Sequence, residues 1–514
     1  MAGRDLRRVR RLGVVGTVAL VFCGSAVAYV CHPDPPGTRA LAVAGRVDGY
    51  ALSGGRVSID AWIKGCERRI VWRPLAASRT ESGCTVGPPP SGAPRRSATD
   101  GHFRAILVPG SQQLDQPSRL AVYDARNGRG LHEWPLPAPT SSVQVARGVA
   151  VLSTSNGVYV LRLRDGRFAM VGVKLPGDRP EIAHSGLVFQ DDQFKRRSSS
   201  RSLLKFMPFA TVRHALRPLG PLRVPFRIGD FSLDGRSVIF VKKDPTGECD
   251  RIGLWLVPWH YSTNLMDEPP ICPERHSPGG VTALALGGQY LEVVTTYGNV
   301  QTLVSSTFVR CIEKVVTRTR LPVARISALA AEGDTLAYAV SAKSGAARLS
   351  LLHGQTVAGS SAVPSALRVS VDSDRLAVLR AGGQIDILWD GRVVRTIAAP
   401  GARALALRHD DLVVLRRGKL DVYAVADGRL LHRWAVPHAT ASAVDVHYGF
   451  ALLAAGKRVV AVRLATGARR VLLVAPTRVR AQLDDIGAVY VYNSGGGGIL
   501  GFISFAAIER AFAS

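Results

Sequence analysis

LAVYDARNGRGLHEWPLP, Leu120 to Pro137, and LDVYAVADGRLLHRWAVP, Leu420 to Pro437, lie 300 positions apart and agree without a gap at nine of eighteen positions. Each alternates apolar residues, turns at Asn127-Gly128 or Asp427-Gly428, alternates again and closes on proline, which is a β-hairpin written in sequence. Fainter copies are VYVLRLRDGRFAMVGVKLP ending at Pro176, IDILWDGRVVRTIAAP ending at Pro400 and VVAVRLATGARRVLLVAP ending at Pro476. Their turn glycines, Gly128, Gly166, Gly354, Gly391, Gly428 and Gly467, are 37 to 39 residues apart except for one gap of 188. Closing prolines, among them Pro218, Pro269, Pro322 and Pro364, fill that gap with units of the same kind and longer loops. With degenerate copies at either end the chain holds about ten or eleven repeats.

A unit of this length accommodates four short strands and their connections. Helical repeats of similar period would place apolar residues three and four apart, whereas Leu120 and Val122, and Leu420 and Val422, alternate. One such sheet cannot bury both faces alone, so stability must come from stacking neighbours. The expectation is an all-β chain of about ten to eleven four-stranded propeller blades over residues 41–514, after an N-terminal apolar helix in 1–30 and a linker, 31–40. Eleven blades exceed the usual four to eight of one ring, so two tandem propellers are expected, split between 218 and 322. A single ring with some units used as insertions is the alternative.

The LDVYAVADGRLLHRWAVP type resembles the quinoprotein-like (PQQ-like) repeat, with Tyr423, Gly428 and Trp434, and again Tyr123, Gly128 and Trp134, in its motif positions. DFSLDGRSVIFVKKDPTGECDRIGLWLV, with Ser232, Asp234 and Gly235, is similar to the WD40-like repeat of the TolB family. These resemblances imply a propeller fold and leave function open. A PQQ-dependent dehydrogenase would also carry adjacent cysteines and a calcium-ligand set, and the chain has no adjacent cysteines. No cofactor is therefore expected.

Arg4, Arg7, Arg8, Arg10 and Arg11 precede an uncharged run, Leu12 to Val30, followed by HPDPPG. Basic residues stay cytoplasmic, so the remainder should face outward. The run holds an Ala26-Val27-Ala28 cleavage site and is also long enough to span a bilayer, so cleaved signal peptide and retained anchor both stand. Outside the membrane, cysteines pair. Setting Cys23 aside leaves six: Cys66 with Cys84 and Cys249 with Cys272 would close short loops, leaving Cys31 with Cys311, one of fifteen possible connectivities. No CxxC or paired-histidine spacing supports a metal site.

The net charge is +27, about +23 of it beyond position 28. Such a surface attracts anionic partners: acidic envelope polymers, lipid headgroups or acidic proteins, with no nucleic acid expected outside the cell membrane. The preferred reading is blander, that arginines solvate loops. No HExxH, GxSxG or P-loop occurs, and no catalytic residue is nominated. Gly496, Gly498 and Gly501 match GxGxxG but lack a following strand and acidic residue, so they read as a hairpin turn with a strand or short helix after it. His409-Asp410-Asp411 and Asp484-Asp485 read as turn chemistry, and Trp134 and Trp434 as packing residues. The expected function is non-enzymatic binding by an exported or membrane-tethered propeller. Enlarged loops at 75–118, 188–202, 242–252 and 258–280 are the candidate surface. A propeller enzyme, oxidoreductase, hydrolase or lyase, is the alternative and would require converging acidic or histidine side chains.

Overall fold

The computed structural model describes residues 37–513 apart from 64–65, 86–95, 111–117, 137–139, 155–156, 173–178, 192–200, 217–219, 235–236, 245–249, 257–260, 264–278, 288–289, 298–299, 310–311, 322–324, 333–334, 342–346, 354–355, 364, 437–443 and 485–486. The described strands form eleven antiparallel sheets of four strands each. In chain order sheets one to three occupy 46–85, 97–135 and 140–172, and sheet four takes three strands from 181–208. Its remaining edge is Arg39–Ala44, which pairs with Arg201–Pro208 from the other end of that segment. Sheets five to ten occupy 228–263, 279–321, 325–363, 366–398, 402–435 and 444–474. Sheet eleven takes three strands from 479–504, and the short strand Leu222–Val224 pairs with Gly497–Ser504 to complete it. No described strand before residue 209 pairs with one after residue 221.

The hairpins read from the sequence are the third and fourth strands of their sheets. In sheets two and nine Tyr123 and Tyr423 lie on the third strand and Trp134 and Trp434 on the fourth. Gly128, Gly166, Gly391, Gly428 and Gly467 all have positive φ in the connecting turns, a conformation that costs glycine little. At two of them the reason extends beyond the turn. Trp134 Nε1 donates to the Leu163 carbonyl at 2.9 Å, and a Cβ on Gly166 would lie 2.5 Å from its ring. Trp434 Nε1 donates to the Leu464 carbonyl at 3.1 Å, and a Cβ on Gly467 would lie 2.3 Å from its ring. The tryptophan of one repeat thus lies on the turn glycine of the next, with His132 and His432 stacked on the indoles.

Fourth strands are irregular in a repeated way. In eight sheets the fourth strand slips register against the third. Leu131, Val394 and Leu431 are the unpaired residues at three of these bulges. A bulge bends and twists an exposed edge and so hinders another strand from adding to it.

The apolar faces meet between sheets. Leu120, Val122 and Trp134 of sheet two cluster with Leu152, Leu161 and Met170 of sheet three. Further clusters join sheets three and four, four and one, five and six, seven and eight, eight and nine, nine and ten, ten and eleven, and eleven and five. Helix α1 (Phe209–Ala215) packs on sheets three and four. Helix α2 (Phe505–Ala513) packs on sheets ten and eleven and reaches sheet two, where Arg119 Nη2 meets Glu509 Oε1 at 2.8 Å.

The apolar run Leu12 to Val30 lies outside the described residues, and no described helix is long and apolar enough to cross a membrane. The segment 75–118, read as an enlarged loop, instead carries the strands Ser78–Thr85, Ser97–Thr99 and Phe103–Val108. Ser78–Thr85 is mainly polar and outermost in its sheet, and its residues 78–82 are exposed, so no burial imposes alternation on them.

One buried group makes folding sensitive to pH. Glu292, on the second strand of sheet six, is 4% exposed, and burial pushes its carboxyl up to about 7 against a hydrogen bond donated by Ser305 Oγ. Between the ordinary glutamate value and pH 7 the folded chain keeps a proton that the unfolded chain loses, so stability falls as pH rises through that window and then levels. Glu292→Gln is expected to raise stability at pH 8 by roughly 2–3 kcal/mol and leave it unchanged at pH 4, read from denaturant midpoints.

Candidate functional site

First strands of sheets five to eleven touch in succession, and that of sheet eleven touches that of sheet five. Together they line one cavity of about 790 Å³. Its wall mixes apolar residues, among them Leu233, Leu284, Leu329, Val369, Leu405 and Val444, with polar ones such as Ser232, Ser370 and Gln482. The wall is stitched by side chains at equivalent positions, two residues before each strand's end. Ser232 Oγ accepts the Leu286 N–H at 3.0 Å, Ser370 Oγ that of Leu407 at 2.9 Å, Asp445 Oδ2 that of Leu483 at 2.9 Å, and Gln482 Oε1 that of Leu233 at 2.7 Å. The last bond runs from sheet five to sheet eleven, beside a second in which Asn493 Oδ1 accepts the Ile228 N–H at 2.8 Å.

Charged groups gather where these strands end. Glu332, Arg408, His447 and Asp484 are the last residues of the first strands of sheets seven, nine, ten and eleven, and Asp374 follows that of sheet eight. The Arg408 guanidinium contacts Glu332 and lies 3.6 Å from Asp372, so it reaches past the neighbouring first strand to the one beyond. His447 Nε2 is 3.8 Å from Asp484 Oδ1, and its ring stacks on Tyr448 at 4.0 Å. Desolvation pushes the Asp445 carboxyl up to about 7, opposed by hydrogen bonds from the Leu483 and Val446 N–H groups and reinforced by the Asp484 charge. This end of the cavity therefore carries more carboxylates than cations, against the charge of the whole chain. Such a lining suits polar or cationic groups.

Residues singled out in the sequence are placed as follows. Cys66 opens the third strand of sheet one, and the backbone of Cys84 lies on the fourth, opposite Arg68. Cys31, Cys249, Cys272 and Cys311 are outside the described residues. Gly496 is in the turn between the last two strands, Gly498 and Gly501 are inside Gly497–Ser504, and a helix follows, so the GxGxxG match is a hairpin. His409 and Asp410 form a turn, with Asp372 accepting the His409 N–H. Among the described residues no three His, Cys, Asp or Glu side chains are grouped to hold a metal ion. The cavity-end residues Glu332, Arg408 and His447 were not read from the sequence. Their only signal is a polar residue ending an otherwise apolar strand at matching repeat positions.

No family model matches the chain, and no curated protein matches it. Among solved structures, a computationally designed protein, Ika8, aligns at 12% identity and a TM-score of 0.33, covering 84% of this chain and 96% of its own. A chain of the Mitotic Checkpoint Complex aligns at 13% identity and a TM-score of 0.41, covering 56% of this chain and 92% of its own.

Proposed function

We propose that the chain is an extracytoplasmic pair of β-propellers, a four-bladed one over 39–208 and a seven-bladed one over 222–504, that acts by binding without chemistry of its own. The observation that carries this reading is the unbroken succession of seven first strands around one cavity. Each unit would close by lending its opening strand to its last sheet, as Arg39–Ala44 and Leu222–Val224 do. The quinoprotein-like and WD40-like resemblances agree with blades and assign no cofactor. The basic residues before Leu12 to Val30 favour an outward location, as cleaved or tethered protein. There Cys66, which is disulfide-bonded, would pair with Cys84 on the adjacent strand.

The docking face would be the charged end of the seven-strand cavity, where Asp374, Arg408 and Asp484 offer polar anchors around the cavity mouth. An enzyme is the second reading, because His447 and Asp484 lie 3.8 Å apart at the cavity that Glu332 also lines, and an acid–base mechanism would need such groups. Both are tested by a photo-crosslinking residue at Ser373 in the full chain, in its own envelope. Binding predicts an adduct that the combined Arg408→Ala and Asp484→Ala changes abolish. An adduct indifferent to those changes, or turnover of a small molecule by the purified protein that Asp484→Asn removes, would refute the binding reading.

A further inference from the structure

The fourth strands of sheets eight, nine and ten, Arg392–Ala398, Leu430–Ala435 and Arg469–Val474, contain no acidic residue. They and the turn before the second carry Arg392, Arg395, Arg429, Arg433, Arg469 and Arg470. Of these, Arg433 is paired with the buried Asp421 and Arg429 lies 3.9 Å from Asp427 on an exposed turn, whereas Arg395, Arg469 and Arg470 donate to the neutral carbonyls of Asp427, Ala435 and Ala511. The bonds from Arg395 and Arg469 also tie each strand to the next sheet, so the three edges form a continuous surface. Interleaved with the arginines, Val393, Val394, Leu430, Leu431, Val471 and Val474 are 37 to 65% exposed, half of the large apolar residues exposed among the described positions. Isolated exposed aliphatics are ordinary, but a contiguous set framed by cations that outnumber their carboxylate partners marks an interface.

We propose that this surface docks an acidic, aliphatic-containing polypeptide segment, which it recognises through side chains. Register slips in all three strands discourage a partner from adding as a fifth strand. Guanidinium groups fixed by backbone carbonyls keep further N–H donors for carboxylates, and the aliphatics give the partner's apolar residues a place to bury. A flat bilayer is the poorer fit, because the edges belong to three separately stacked sheets. This surface is distinct from the acidic cavity end, and the inference does not depend on what binds there.

The test is fluorescence anisotropy of a labelled peptide of repeated Glu-Glu-Leu-Pro, whose prolines preclude strand addition, with the purified full chain near physiological salt. Saturable binding is expected, weakened at least about tenfold by Arg392→Glu with Arg429→Glu and several-fold by Val394→Ser with Val474→Ser. Arg129→Glu, at the position in sheet two equivalent to Arg429, should leave it unchanged. Equal weakening by Arg129→Glu would mean diffuse charge attraction and overturn the proposal. So would absence of peptide binding, or binding confined to phosphatidylglycerol vesicles and lost with the same outer-strand variants. Circular dichroism of each variant confirms folding.

Discussion

Asp421→Ala is expected to lower folding stability by about 2–3 kcal/mol, in the range for losing charge-assisted hydrogen bonds to a buried carboxylate. Asp421 has no exposed surface, and its carboxylate accepts from Arg433 Nε at 2.7 Å, Arg433 Nη2 at 3.1 Å, Arg416 Nη1 at 3.0 Å and the Tyr423 hydroxyl at 3.3 Å. Removing it leaves two guanidiniums without their carboxylate, Arg433 being the more exposed of the two. Burial alone would raise this carboxyl, but the bonds from Arg433 and Arg416 outweigh it and hold the group below its ordinary value. The unfolded chain then takes up a proton before the folded chain does. The contribution of Asp421 is present above the ordinary aspartate value and drains away as pH falls through the depressed one. Urea midpoints of wild type and variant should therefore differ most at neutral pH and converge in strong acid. A control, Asp427→Ala on the exposed turn of the same hairpin, should shift the midpoint by no more than about 0.5 kcal/mol.

Gly467→Ala should cost about 2–4 kcal/mol, the sum of a left-handed backbone and an overpacked contact. Its φ is +68°, and the added methyl would lie 2.3 Å from Trp434 Cε3. The indole cannot retreat without losing its bond to the Leu464 carbonyl, so sheets nine and ten must separate. Gly495→Ala is the comparison: at φ +60° with nothing within 4 Å, it carries the backbone cost alone. If both variants lose the same stability by denaturant unfolding, the contact between tryptophan and glycine contributes nothing. Trp434→Phe in the Gly467→Ala background should recover part of the loss.

Legibility of this chain followed burial. Leu420, Val422 and Tyr423 stand out beside Gly428 and Trp434 because this third strand is buried and its turn is packed against the preceding sheet at Arg395 and Ile397. The hairpins could therefore be read, and the estimate of ten to eleven units brackets the eleven sheets present. Ser97–Thr99 and Glu181–Ala183 were too short to show a period, and Ser78–Thr85 had no apolar face. The cavity was invisible for another reason. Its wall takes one strand from each of seven repeats, so Glu332, Arg408, His447 and Asp484 reach one cavity from about 150 residues of chain, and only Asp484, beside Asp485, carried a local mark, which read as a turn.

The pairing of Arg39–Ala44 with Arg201–Pro208, and of Leu222–Val224 with Gly497–Ser504, bears on the order of assembly during synthesis. The earlier half acquires its final ladder as soon as residue 208 has emerged, while the later half is still being made. The later half must wait for its last strand, holding Leu222–Val224 unpaired through most of its translation. Such long-range pairing is slow to form and leaves edges open meanwhile. The vulnerable interval for proteolysis or misassembly thus falls late, and it ends only when helix α2 reaches back to sheet two.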